Sequence, residues 1–163
     1  MLAAMFRWTL GGLILCAVIA SCGGPAPSPV CGAGSAETLM VCVDRARYVA
    51  DLTLIAQPRP TGTAHWQVVQ DLCADRLATL GYAVERQDYG SGINVIGTRA
   101  GSDPAAASVL VSAHYDSTSA CPGADDNASG VAGLLETARV MAMARFRRTS
   151  IMACWDEEER GLV

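Results

Sequence analysis

The stretch SAHYDSTSACPGADDNASG, Ser112 to Gly130, follows directly on the apolar run Val109-Leu110-Val111. A second polar stretch, Asp156-Glu157-Glu158-Glu159, follows Ile151-Met152-Ala153-Cys154-Trp155 in the same way. Both apolar runs have strand character. In open α/β sheets ligands sit beyond the carboxyl ends of strands, so two strands that end in a histidine and acids predict one shared site.

His114 and Asp116 stand two apart at a strand end, which sends both side chains off the same face. A carboxylate beside a ligating histidine commonly accepts its second N–H, which fixes the tautomer and raises the basicity of the ring. Asp125-Asp126 and the run Asp156 to Glu159 add six carboxylates at the ends of the same strands. Crowded like charges raise one another's pKa and cost free energy unless a cation neutralises them. A lone histidine is ordinarily structural, and an acidic run is ordinarily a solvated loop. Their joint occurrence at strand ends points instead to a divalent metal, and histidine mixed with carboxylates favours zinc or another transition metal. His65, the other histidine, falls on the exposed side of a helix and is not expected to ligate.

Outward from this stretch the periodicity alternates between helix and strand. Leu39, Val43, Ala46, Val49 and Leu52 recur at helical spacing behind Ser35 as N-cap, and Pro58-Arg59-Pro60 ends that helix. Thr61-Gly62-Thr63 opens a second helix whose buried stripe is Trp66, Val69, Cys73, Leu77 and Leu80, with Gly81 as its cap. Tyr82 to Asp88 and Ile93 to Thr98 read as a hairpin turned at Tyr89-Gly90-Ser91-Gly92. Ser108 to Ala113 reads as a strand, Val131 to Ala144 as a helix buried nearly all round, and Ser150 to Trp155 as the last strand, after the polar connection Arg145 to Thr149. The order predicts an α/β fold, a three-layer sandwich with a mixed β-sheet.

At 163 residues, 51% of them hydrophobic and 17% charged, the chain has the apolar material for one domain's core. The net charge of -4 is mild and carries no nucleic-acid signature, which argues against a nucleic-acid partner. Arg7 precedes an apolar stretch from Trp8 to Ala20, too short to span a bilayer and of the size of an export-signal core. Residues 1–22 are read as that signal, and its end, Ile19-Ala20-Ser21-Cys22, resembles the lipobox of bacterial lipoproteins. Lipidation at Cys22 is the expectation, with residues 23–34, rich in Gly, Pro and Ala, as a flexible tether to the membrane. The protein is then exported and lipid-anchored in the bacterial cell envelope. Setting aside Cys16 and Cys22 leaves five cysteines, an odd number, so at least one is unpaired. Cys154, inside a strand, is expected in the core.

The phrases SAHYDST, GADDNASG and DEEERGL, in this order, resemble the zinc aminopeptidases of metallopeptidase family M twenty-eight. The resemblance runs from about Pro60 to Val163 and makes residues 35–163 the N-terminal portion of such a domain. It implies that His114 ligates one zinc, Asp116 orients His114, Asp126 bridges two zincs, Glu159 ligates the other, and Glu158 is the general base. A shift of one residue would give the bridging and base roles to Asp125 and Glu157. It further implies a cis peptide at Asp126-Asn127. The implied activity is removal of N-terminal residues from peptides by a metal-activated water. Two further ligands, an aspartate and a histidine, belong to the family's complete site beyond Val163, so this chain is expected to hold a partial site with at most one weakly bound zinc. A glutaminyl-cyclase-like zinc acyltransferase and an inactive exported lipoprotein that serves as a binding module are the alternatives.

Overall fold

The computed structural model describes residues 30–161. The export signal, the lipobox Cys22 and most of the tether lie outside the described residues. Among those described, no helix is long and apolar enough to cross a membrane.

Ser35 caps the first helix, as expected: its hydroxyl accepts the N–H of Thr38, and the Thr38 side chain accepts the N–H of Ser35 in return. The single helix predicted from there to the prolines is instead two, α1 (Ala36–Met40) and α2 (Arg45–Ile55). Asp44 causes the break. Its backbone is extended and its carboxylate accepts the N–H groups of Ala46 and Arg47, which starts a new helix, while its own N–H donates to Glu136 Oε1 at 2.6 Å. The disulfide Cys31–Cys42 fastens the same segment. Restarting the helix turns it, so Val43 and Val49 are exposed, and Asp51 and Ile55 are buried in their place. Asp51 is paired with Arg76 at 2.9 Å.

Helix α3 (Ala64–Thr79) begins at Thr63, whose hydroxyl accepts the N–H of Trp66, and buries Trp66, Val69, Cys73 and Leu77 as predicted. Gly81 follows it at φ +81°, a conformation that glycine adopts without steric cost. The strands are β1 (Ala83–Asp88), β2 (Ile93–Arg99), β3 (Val109–His114) and β4 (Ser150–Trp155), and α4 (Ser129–Ala142) lies between the last two. The sheet order is β1-β2-β4-β3. The β1–β2 hairpin and the β2–β4 pair are antiparallel, and β3–β4 is parallel. The sheet is therefore mixed, as predicted.

Helices α3 and α4 touch each other and pack on the face that carries Val95, Gly97, Met152 and Cys154. Gly97 is needed there, because a Cβ would meet Leu77 at 3.0 Å. The described residues form two of the three expected layers. Cys154 and Cys73 are buried free thiols in this core, and Cys121 is an exposed one. The consequence for function is placement: β3 and β4 run side by side and end together, with His114 opposite Trp155.

Candidate metal centre

His114 is the last residue of β3 and is 8% exposed. Its Nδ1 lies 3.2 Å from Asp116 Oδ1, and its Nε2 lies 2.9 Å from Asp126 Oδ1. With a carboxylate on each nitrogen, the ring can donate on both sides when it is protonated. Burial alone would push its pKa down, but the bonds to Asp116 and Asp126 outweigh that and raise it above the ordinary histidine value. Glu158 Oε2 stands 3.9 Å from the same Nε2.

Asp116 is 1% exposed and joins the two strand ends. Besides the His114 ring, it accepts the N–H of Glu158 at 3.2 Å and that of Glu159 at 3.1 Å. Burial would raise its pKa, yet the bonds from His114 and the two N–H groups hold it below the usual carboxylate range.

Asp126 arrives on an irregular turn, Ala124–Ala128, which opens at Gly123 with φ +54° and contains a cis peptide at Asp126-Asn127, as the resemblance implied. The Asn127 carbonyl Oδ1 accepts the N–H of Gly130 at 3.0 Å and seats the turn on the start of α4. Asp125 is exposed.

The acidic run after β4 does not act as one group. Asp156 is buried and accepts from Trp66 Nε1 at 2.9 Å, Thr61 Oγ1 at 3.0 Å, and the N–H groups of Ile93 and Glu157 at 2.9 Å each. Glu157 is fully buried at φ +58° and binds Ser91 Oγ at 2.7 Å and Arg160 at 2.6 Å. Only Glu158 turns toward His114. Glu159 is exposed, and its carboxylate forms no ion pair among the described residues. The expectation of six carboxylates crowded at one site is thus corrected: internal hydrogen bonds consume Asp156 and Glu157, and Asp125 faces solvent.

Arg59 carried no sign of a role in the sequence, where it stood only as part of a helix stop. It is fully buried and forms no ion pair among the described residues. Its guanidinium donates to the carbonyls of Tyr115 (2.7 Å), Pro122 (2.7 Å), Gly123 (3.1 Å), Gln57 (3.2 Å) and Ile55 (3.4 Å). Arg59 thereby ties the residue between His114 and Asp116 to the turn that carries Asp126. Burial lowers its pKa, the charge of Asp116 opposes this, and a guanidinium stays charged at ordinary pH.

Two ligands of a tetrahedral zinc, each about 2.0–2.2 Å from the ion, lie ~3.3 Å apart. The 2.9 Å between His114 Nε2 and Asp126 Oδ1 is close to that separation. These two donors suit part of a zinc shell. Among the described residues, no group of three or more His, Cys, Asp or Glu is gathered to hold an ion.

The architecture is that of the zinc-exopeptidase and glutaminyl-cyclase fold. The family model described as Peptidase family M28 matches residues 94–163. Leupeptin-inactivating enzyme 1 of Streptomyces exfoliatus is 30% identical over 172 residues, which cover 99% of this chain and 38% of that protein. Among solved structures, a Zn-dependent exopeptidase from Parabacteroides distasonis superposes with TM-score 0.58 at 27% identity, covering 71% of this chain and 47% of the other. Fimbriiglobus ruber glutaminyl cyclase superposes with TM-score 0.60 at 21% identity, covering 70% and 45%. The chain spans less than half the length of each of these proteins.

Proposed function

We propose that His114, Asp126 and Glu159 contribute ligands to the metal centre of a zinc-dependent exopeptidase, an aminopeptidase acting on peptide N-termini. The observation that carries this reading is the His114 ring clamped between Asp116 and Asp126 with Glu158 alongside. The match to the peptidase family model over the same residues supports it. When bound, zinc would supply Lewis acidity and a water acidified toward neutral pH. Asp116 is the positioning residue: it fixes the Nδ1–H tautomer and leaves Nε2 free for a metal when that nitrogen carries no proton. Glu158, whose side chain is 42% exposed, is the general base, taking a proton from the attacking water and passing it to the leaving amine. Glu159 lies outside this cluster and in our reading serves a second ion. Export and lipid anchoring at Cys22 belong to the same proposal and place residues 35–163 on the outside of a membrane.

A glutaminyl-cyclase-like acyl transfer is the second reading, favoured by the superposition on cyclases from Fimbriiglobus ruber and Porphyromonas gingivalis. The fold serves both chemistries, so the site must decide. Calorimetric titration of the full chain with zinc is expected to show binding that His114→Ala abolishes. Equal zinc binding by wild type and His114→Ala would sink the metal-centre reading. Any turnover on Leu-anilide rather than Gln-anilide separates the peptidase from the cyclase.

A further inference from the structure

The end of the sheet remote from His114 carries a different chemistry. Arg99 closes β2, and Arg145, Arg147 and Arg148 lie in the connection from α4 to β4. Four of the chain's twelve basic residues are therefore at one pole. Strand β4 runs from this pole at Ser150 to the acid site at Trp155, about 17 Å away. Among the described residues, the acid paired here is Asp103, 3.8 Å from Arg147.

The arginines stand on an ordered frame. Ser102 and Asp103 donate their N–H groups to the carbonyls of Phe146 and Arg147, each at 3.0 Å, and Gly101 donates to Thr149 Oγ1 at 3.2 Å. Gly101 is required by this close approach, since a Cβ would collide with the Arg147–Arg148 backbone. Arg99 is held by the carbonyls of Met141 (2.9 Å) and Ala144 (2.8 Å), both through Nη1, which leaves its other N–H groups unused.

Two cavities meet at this frame. One, of about 250 Å³, is lined by Arg99, Arg145 and Arg148 with Ser102 and Ser150, and no carboxylate faces it. The other, of about 270 Å³, is lined by Val109 and Met141 with Arg147 and Thr149, and shares Phe146, Arg148 and Ser150 with the first. Exposed Met143 (44%) and Val109 (38%) extend the apolar side. A guanidinium-lined cavity beside an apolar one matches an amphiphile with an anionic head.

We propose that this pole docks on an anionic lipid surface, with a phosphate headgroup against Arg99, Arg145 and Arg148 and hydrocarbon in the adjoining cavity. Charge complementarity selects this occupant, because the opposite pole is acidic and a negatively charged surface would turn it outward. The entry of the chain agrees: the Cys42 carbonyl is bound at 2.5 Å by Arg139, in the last turn of α4. Docking of this kind leaves the His114 site facing away from the membrane. It does not depend on what that site does.

Cosedimentation of the full chain with vesicles tests the proposal, using phosphatidylcholine alone and phosphatidylcholine mixed equally with phosphatidylglycerol. The readout is the preference for the anionic vesicles, because any apolar attachment common to both kinds cancels from it. Basic residues near such a surface contribute roughly fivefold each, so the triple variant R145Q/R147Q/R148Q is expected to lose about 100-fold of the preference. All three side chains are exposed, and the variant is expected to keep its circular dichroism spectrum. Raising the ionic strength is expected to erase the preference. No preference in wild type, or a preference that survives in the triple variant, overturns the proposal. Loss of preference to inorganic phosphate at constant ionic strength overturns the lipid assignment in favour of a free oxyanion site.

Discussion

Asp156 and Glu157 are buried and bonded into the fold, whereas Glu158 and Glu159, the next two residues of the same acidic run, stand beside His114 and in solvent respectively. The four carboxylates have nearly the same chemistry, and their surroundings divide them. Asp156 meets four donors from three segments, so its charge is spent on joining Thr61, Trp66 and Ile93 to β4. At Glu157 the backbone takes φ +58°, which reverses the direction of the chain and turns the following side chain toward His114. A buried carboxylate with all its bonds made is structural. One that is half exposed beside a histidine is available for chemistry.

Three measurements would break or sharpen that contrast. Asp156→Ala leaves the Trp66 indole N–H and two backbone N–H groups without an acceptor, and is expected to cost about 3–5 kcal/mol in urea unfolding. A cost near zero would erase the distinction between the two halves of the run. The next effect is on titration. In the metal-free chain the His114 pKa is raised, so its contribution to stability is complete below the ordinary histidine value of about 6.5 and is lost as pH rises through the folded value. Asp126→Asn removes one of the two bonds that raise it, and NMR titration of the ring should move down toward the ordinary value. An unchanged titration would show that Asp126 does not hold the ring. The smallest effect belongs to Glu159→Gln, expected to alter stability by no more than about 0.5 kcal/mol because the side chain is exposed and unpaired. A loss as large as that of Asp156→Ala would place Glu159 inside the structural network.

Much of the fold was legible in the residues because the local signals agreed with the tertiary result. The Gly90 and Gly92 turn, the alternation before and after it, and the stripe Trp66–Val69–Cys73–Leu77 all answer to short-range rules, and β4 has the bounds that its apolar run predicts. The split of the first helix was not legible. Asp44 resembles any polar surface residue until Glu136, 92 positions away, accepts its N–H. The same holds at the site. His114 and Asp116 were readable from their spacing at a strand end, but the inward turn of Asp156 and Glu157 depends on Trp66, Thr61 and Ser91, whose side chains carry no local sign of that partnership.

What the sequence alone determined is the set of strand ends, the histidine with its carboxylate two residues on, and the mixed α/β order. These follow from periodicity and turn chemistry within a few residues. Tertiary structure alone decided which acids remain free, how Arg59 fastens the His114 strand to the Asp126 turn, and how Arg99 joins Arg145, Arg147 and Arg148 at the far pole. Each of these rests on donors and acceptors brought together from distant parts of the chain. A buried polar group must find its partner wherever packing places one, and sequence spacing does not record where that is.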